Sequence, residues 1–344
     1  MLVARKTPTI FHNRCPWAHL RWALPAAALL LAVPAPPARS AVSLRLPEKI
    51  AAAGIFGGWR KPQTVIPLWP HSKIPLRQRH VHVGNRRGGG YDIVFPNHWA
   101  TLTFYPAPAK HNSGAAIILC PGGGYVAEGG MPNGPGLWVK YLGLNWFVLV
   151  YRLPNGKLPP SGVPWPLQDV RRAVQIVRTH AAQWRINPRR VGLMGFSAGG
   201  GLASLAAVHW RPGNPAAPDP LDRFSTRPNF IILGAPLISM MPAITDPNPL
   251  VGPHAPLDVD QYFSSELNVT PLTPPALIFY ARNDTLVKHQ NEQLFYAALR
   301  RNGVPAKLVV FQHGGHGLAG VAAAPLIEHC AAWLNQLGFL GGGK

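Results

Sequence analysis

A chain of 344 residues, 47% hydrophobic and 13% charged, can bury one large core or two modest ones. Its formal charge is +20, but no aromatic-interleaved basic motif accompanies that excess. Nucleic-acid binding is therefore not expected, and the charge implies no more than a weak attraction to anionic polymers. The three cysteines lack metal-ligand spacing, so neither a metal nor a cofactor is expected.

Residues 1–40 read as an export signal. A basic segment precedes the apolar run from Trp22 to Val33, which contains Pro25 and is shorter than the ~20 residues of a membrane span. Small residues at Ala38 and Ser40 fit cleavage before Ala41 and a secreted or periplasmic protein; a retained anchor is the alternative. These 40 residues hold Arg5, Lys6, Arg14, Arg21 and Arg39 and no acid, so removing them leaves +15. Residues 41–96 read as a basic arm rich in Pro and Gly. Its 60–90 stretch has seven Lys or Arg and no acid, with "NRRGGG" as a loop. It is either a solvated irregular arm or an anchor for an anionic surface.

A regular pattern occupies 97–341. "WATLTFYP" reads as an edge strand, "GAAIILC" as a buried strand, "GPGLWVKYLGLN" as a helix and "WFVLVYRLP" as a strand. "WPLQDVRRAVQIVRTHAAQW" is a long amphipathic helix. Val191–Phe196 is a strand, and the Ala- and Leu-rich stretch after Ser197 a buried helix. "RPNFIILGAPLIS" and "PPALIFYARND" are strands. "HQNEQLFYAALRRNGV" is a helix, "AKLVVFQHGGHG" a strand and "PLIEHCAAWLNQLGF" a last helix. Short apolar strands alternating with helices predict an α/β fold, a mostly parallel, doubly wound sheet with helices on both faces. The proline-rich stretch at about 240–274 is long for a plain connection and reads as a short cap insertion. Cys120 and Cys330, in a core strand and the last helix, are expected as buried free thiols.

In such a sheet, ligands bind beyond the carboxyl ends of the strands. Ser197, Asp284 and His316 each follow a strand, in the order Ser…Asp…His. A serine hydroxyl is a poor nucleophile until an imidazole takes its proton, and a carboxylate orients that imidazole. Gly195 and Gly199 flank Ser197 two positions either side, the spacing of a nucleophile on a sharp strand–helix turn. His313 competes with His316, and Asp246, Asp258 and Asp260 compete with Asp284, which alternatively caps the next helix. "CPGGGY" leaves a core strand with its backbone N–H groups uncovered by side chains. The loop resembles the HGGG-type motif with Pro121 in place of histidine, and that resemblance implies the amides of Gly123, Gly124 and Ala198 as the oxyanion donors; Tyr125 and Glu128, just past the loop, are candidates for substrate contact.

"IILCPGGGY", "VYRLP", "PLQDVRRAVQIVR", "NPRRVGLMGFSAGGGLAS" and "GVPAKLVVFQHGGHG" resemble bacterial carbohydrate esterases of the α/β-hydrolase fold. These are acetyl-xylan-esterase-like, xylanase-B-associated proteins related to feruloyl esterases. Gly201 departs from that pattern, which has histidine there. The resemblance implies a serine esterase acting on a small ester or an acetylated saccharide. A serine peptidase of prolyl-oligopeptidase type shares fold and triad, but residues 41–96 cannot build its large N-terminal propeller. A non-catalytic binding protein on the same scaffold would be expected to lack a triad member.

Overall fold

The computed structural model describes residues 64–70, 79–85, 89–95, 100–129, 141–154, 156, 158–318, 321 and 323–340. The export signal, its cleavage before Ala41 and most of the helix expected at 134–145 lie outside the described residues.

Eight strands form the main sheet. They are β1 (Thr64–Pro67), β4 (Thr101–Tyr105), β5 (Ala116–Cys120), β7 (Asn145–Val150), β8 (Val191–Phe196), β9 (Ile231–Gly234), β10 (Ala276–Ala281) and β11 (Ala306–Phe311). Their order is β1-β4-β7-β5-β8-β9-β10-β11. The two pairings of β4 are antiparallel and the rest are parallel. Adjacent parallel strands from β7 to β11 put their carboxyl ends on one edge, where the candidate residues lie.

Both faces are covered. Along β5, Ala116, Ile118 and Cys120 enter one core and Ile117 and Leu119 the other, the two-residue alternation of a strand. The first core is closed by α1 (Trp165–Thr179), α2 (Ala198–Val208) and α4 (Gln290–Arg301); the second by α5 (Ala323–Gln336). α2 has buried residues on every side, including Ala198, Leu202, Ala203 and Leu205, which accounts for a sequence that is apolar except at Ser204. Cys120 and Cys330 are buried free thiols, as expected.

Three expectations change. "WATLTFYP" is not the edge: β1, from within the expected arm, pairs antiparallel with β4 and takes that place. Leu68 just beyond β1 is buried, so part of the 41–96 arm belongs to the core of the main sheet. Second, the basic stretch is not irregular throughout. β2 (Arg79–Asn85) and β3 (Gly89–Phe95) form an antiparallel hairpin, and β6 (Glu128–Gly129) joins them in a small three-stranded sheet. Asn85 pairs with Gly89 and Gly84 with Gly90, so both ends of the loop expected at 85–90 are strand.

Third, the 240–274 segment is not simply a cap. It contains α3 (Leu257–Phe263), whose Tyr262 ring stacks on His209 at 4.2 Å, while Ser265 Oγ and Ser204 Oγ share a hydrogen bond of 2.9 Å. Ser204 and His209 lie in the second half and at the end of α2, up to ~18 Å from Ser197 at ~1.5 Å per residue. This half of the segment therefore runs down α2, away from the strand ends. Only its first half approaches the loop after β7, with Gly252 against Gly156. Asp260 is buried in this packing and accepts a hydrogen bond from Asn248 Nδ2 at 2.6 Å.

Candidate active site

Ser197 sits between β8 and α2 with φ 55° and ψ −126°. Non-glycine residues rarely hold a positive φ, and the surrounding structure must impose it. Two glycines let it do so. A Cβ on Gly195 would lie 2.1 Å from Gly199 O, and one on Gly199 would lie 2.0 Å from Cys120 O. Strand and helix thus approach to a distance only glycine permits. The Ser197 amide donates to Gly234 O at 2.9 Å, which ties the turn to β9.

The serine faces a histidine. Ser197 Oγ and His316 Nε2 are 2.9 Å apart, and His316 Nδ1 and Asp284 Oδ2 are 2.9 Å apart. A carboxylate only accepts, so Nδ1 carries the proton and Nε2 is left to accept from the serine hydroxyl. Asp284 uses its other oxygen as well: Oδ1 accepts from the amides of Leu286 at 2.9 Å and Val287 at 3.2 Å. It is both a turn cap and the imidazole's partner, the two alternatives open in the sequence. Its side chain is 1% exposed and that of His316 24%. The histidine therefore meets solvent on one side and a locked carboxylate on the other. His313 is exposed; Asp246 and Asp258 make no contact with the imidazole.

On the other side of Ser197, the loop Pro121–Gly129 leaves β5. A Cβ on Gly122 would lie 3.1 Å from Ser197 Cβ, so the loop runs directly beside this serine. Gly123 (φ 132°), Gly124 (φ 62°) and Tyr125 (φ 62°) turn it sharply. The amides of Gly123, Gly124 and Ala198 find no acceptor among the described residues. Ala198 also opens α2, whose partial positive charge favours a developing anion. A serine, a histidine, a carboxylate and a turn of uncovered amides are thus assembled at the carboxyl ends of β5, β8, β10 and β11.

A model of the alpha/beta hydrolase fold family matches residues 122–320, more than half of the chain. The chain belongs to the alpha/beta hydrolase fold family. This α/β hydrolase is 34% identical over 217 residues to an acetylxylan esterase of Xylanibacter ruminicola, covering 60% of this chain and 42% of that one. It is 32% identical over 208 residues to endo-1,4-beta-xylanase B of Butyrivibrio fibrisolvens, covering 59% and 32%. The chain thus spans less than half the length of either relative. Among solved structures, an acetyl ester-xyloside bifunctional hydrolase from Caldicellulosiruptor lactoaceticus is similar with a TM-score of 0.68 and 31% identity. The match covers 83% of this chain and all of that one.

The two residues expected to touch substrate do not face outward in this hydrolase. Tyr125 and Glu128 are each 1% exposed and pack beneath the glycine loop. The sharp turn directs Tyr125 inward and leaves Val126, 78% exposed, as the loop's outward side chain. Position 201 also differs from expectation for a physical reason. A Cβ there would lie 2.0 Å from Leu237 O, so this backbone accepts no histidine.

Other residues behind the site carried no signal in the sequence reading. Asn283 Oδ1 accepts from the Gly315 amide at 2.9 Å, which joins the acid loop to the histidine loop. Asp169 is fully buried and accepts from Arg152, at 2.6 Å from Nη2, and from Trp69 Nε1 at 2.8 Å. An acidic residue on the apolar face of α1 was the available clue. Glu292 is buried, and among the described residues no other residue hydrogen-bonds to either of its carboxyl oxygens. Burial, with the charge of Asp284 adding to it, pushes its carboxyl up to about 8. Among the described residues no group of His, Cys, Asp and Glu could hold a metal, and no helix is long and apolar enough to cross a membrane.

Proposed function

We propose that the protein is an exported serine esterase that hydrolyses short-chain, chiefly acetyl, esters of carbohydrates. The observation that carries the reading is the continuous hydrogen-bonded row Ser197 Oγ–His316–Asp284 at a strained turn. Ser197 Oγ attacks the ester carbonyl carbon while its proton passes to His316 Nε2. The carbonyl oxygen becomes an oxyanion held by the amides of Gly123, Gly124 and Ala198. His316 then returns the proton to the departing alcohol, leaving an acyl-serine. Water, deprotonated by the same imidazole, attacks that acyl group and frees the acid and Ser197. Asp284 holds the imidazole in the required tautomer and stabilises its cationic form.

The acetyl group and the carbohydrate rest on the likeness to an acetylxylan esterase and an acetyl ester-xyloside hydrolase. The 240–274 segment supports the short acyl group, because its α-helix is only seven residues long and lies along α2, so the segment offers no long apolar helix to line a trench. Export rests on residues 1–40, and the mass of the exported chain checks its start at Ala41.

The test is a series of p-nitrophenyl esters from acetate to decanoate, with acetylated xylan, a feruloyl ester and a prolyl peptide, on wild type and Ser197→Ala. A peak at acetate or propionate, with acetate released from xylan and no turnover by the variant, supports the reading. A long-chain site would raise kcat/KM with each buried methylene, worth ~0.8 kcal/mol. A steady rise to decanoate, or turnover by the alanine variant, overturns it.

A further inference from the structure

The loop Pro121–Gly129 is shaped by its own backbone. Gly129 N donates to Gly122 O at 2.8 Å, and Val126 N and Ala127 N donate to Gly123 O at 3.1 Å. Its far end, β6, pairs with β3 in the small sheet. Neither set of bonds ties the loop to the sheet that carries Ser197. That tie is made by Tyr151, the first residue after β7. Its phenol donates to Pro121 O at 2.8 Å, and its amide donates to Glu128 Oε1 at 2.8 Å. One residue therefore grips the loop at both ends. Tyr151 is fully buried, Glu128 is 1% exposed, and the Tyr125 ring meets Tyr151 edge-on at 6.5 Å.

We propose that Tyr151 and Glu128 are positioning residues: together they clamp the glycine loop so that the Gly123 and Gly124 amides stand where the oxyanion forms. The inference rests on the esterase reading above. Oxyanion donors act at about 2.7–3.1 Å from the charge they stabilise, and a misplacement of ~1 Å can cost ~100-fold in rate. The amides of Gly123 and Gly124 donate to no backbone acceptor among the described residues, so side chains must supply the accuracy here. The clamp needs an acceptor at Glu128, not a charge. Its carboxyl is held well above the usual carboxylate range, first by burial and further by Asp169. Tyr151, Tyr125 and Cys120 lie around it, and no cation among the described residues is paired with it. A neutral group there also keeps negative charge away from the back of the donors.

The experiment uses the full chain and three variants, Tyr151→Phe, Glu128→Gln and Glu128→Leu. It reads kcat and KM for p-nitrophenyl acetate, inhibition by a trifluoromethyl ketone, which forms a tetrahedral oxyanion adduct on a serine, and thermal unfolding. Y151F is expected to lower kcat about 10-fold and E128L about 30-fold, with KM within about twofold and ketone affinity falling by the same factor as kcat. E128Q keeps the acceptor and is expected within about threefold of wild type. Folded variants whose loss lies in KM alone, or whose kcat and ketone affinity stay within about twofold, overturn the clamp. So does an E128Q as impaired as E128L. If E128L does not fold, Y151F, which lacks one oxygen atom, decides alone. An inactive wild type overturns the esterase reading and the clamp with it; an active wild type with unaffected variants overturns only the clamp.

Discussion

The carboxyl of Asp284 serves two structures at once: Oδ2 lies 2.9 Å from His316 Nδ1, and Oδ1 caps the turn through Leu286 and Val287. Capping leaves Oδ2 little freedom, so the imidazole is oriented by a group that cannot rotate away. Asp284→Asn keeps the size and the cap. An amide nitrogen placed toward Nδ1 favours the wrong tautomer, with the proton on Nε2. A loss of about 10⁴ in kcat with little change in KM is expected, by analogy with the same change in serine proteases. Steady-state kinetics at neutral pH check it; a loss confined to KM contradicts the assignment.

Gly199→Ala places a methyl where Cys120 O stands 2.0 Å away, with Pro121 O at 2.4 Å. Both neighbours are backbone at the end of β5, so neither yields without moving the strand. Overpacking of this kind costs ~3 kcal/mol or more, an unfolding midpoint lower by at least about 6 °C for a domain of this size. Calorimetry measures it. A wild-type midpoint would mean that strand and helix are not held this close.

Asp169→Ala removes the acceptor of Arg152 and Trp69 and leaves the guanidinium against the rings of Trp69 and Trp165 with no counter-charge. Breaking a buried pair by deleting one partner costs several kcal/mol. Because Arg152 keeps partial access to water, with its side chain 22% exposed, about 2–3 kcal/mol is expected. Chemical denaturation at neutral pH reads this directly, and the denaturant slope should stay unchanged.

Glu292 gives stability a pH dependence of defined sign. Its carboxyl titrates at about 8 in the folded chain against an ordinary value of 4.5. Between these values the folded state holds a proton that the unfolded state has released. Stability therefore falls as pH rises through that window, by ~1.4 kcal/mol per pH unit from this group. Glu292→Gln removes that contribution. Unfolding midpoints at pH 5, 6.5 and 8 should fall less steeply in the variant; parallel slopes refute the assignment.

Much of this architecture is legible in local sequence. Strand β8, the glycines beside Ser197, the apolar α2 and the Ser…Asp…His order follow from periodicity, helix propensity and spacing, which act over a few residues. Gly195 and Gly199 carry the message most directly, since each marks a backbone contact that a single methyl would break. What the sequence by itself determined was therefore which elements form and which residue types stand at their ends. The tertiary structure decided the rest. Ser197 and His316 are 119 positions apart and Tyr151 and Pro121 are 30 apart, and no local pattern encodes a meeting over such distances. It chose His316 over His313, brought β1 out of the basic arm to the sheet edge, and laid α3 along α2. It also turned Tyr125 and Glu128 inward, because a loop at positive φ reverses the side-chain direction that a plain reading of "GGGYVAE" assigns. Each of these outcomes depends on the packing of segments distant in the chain, where burial and hydrogen bonding between elements outweigh the preference of any one of them.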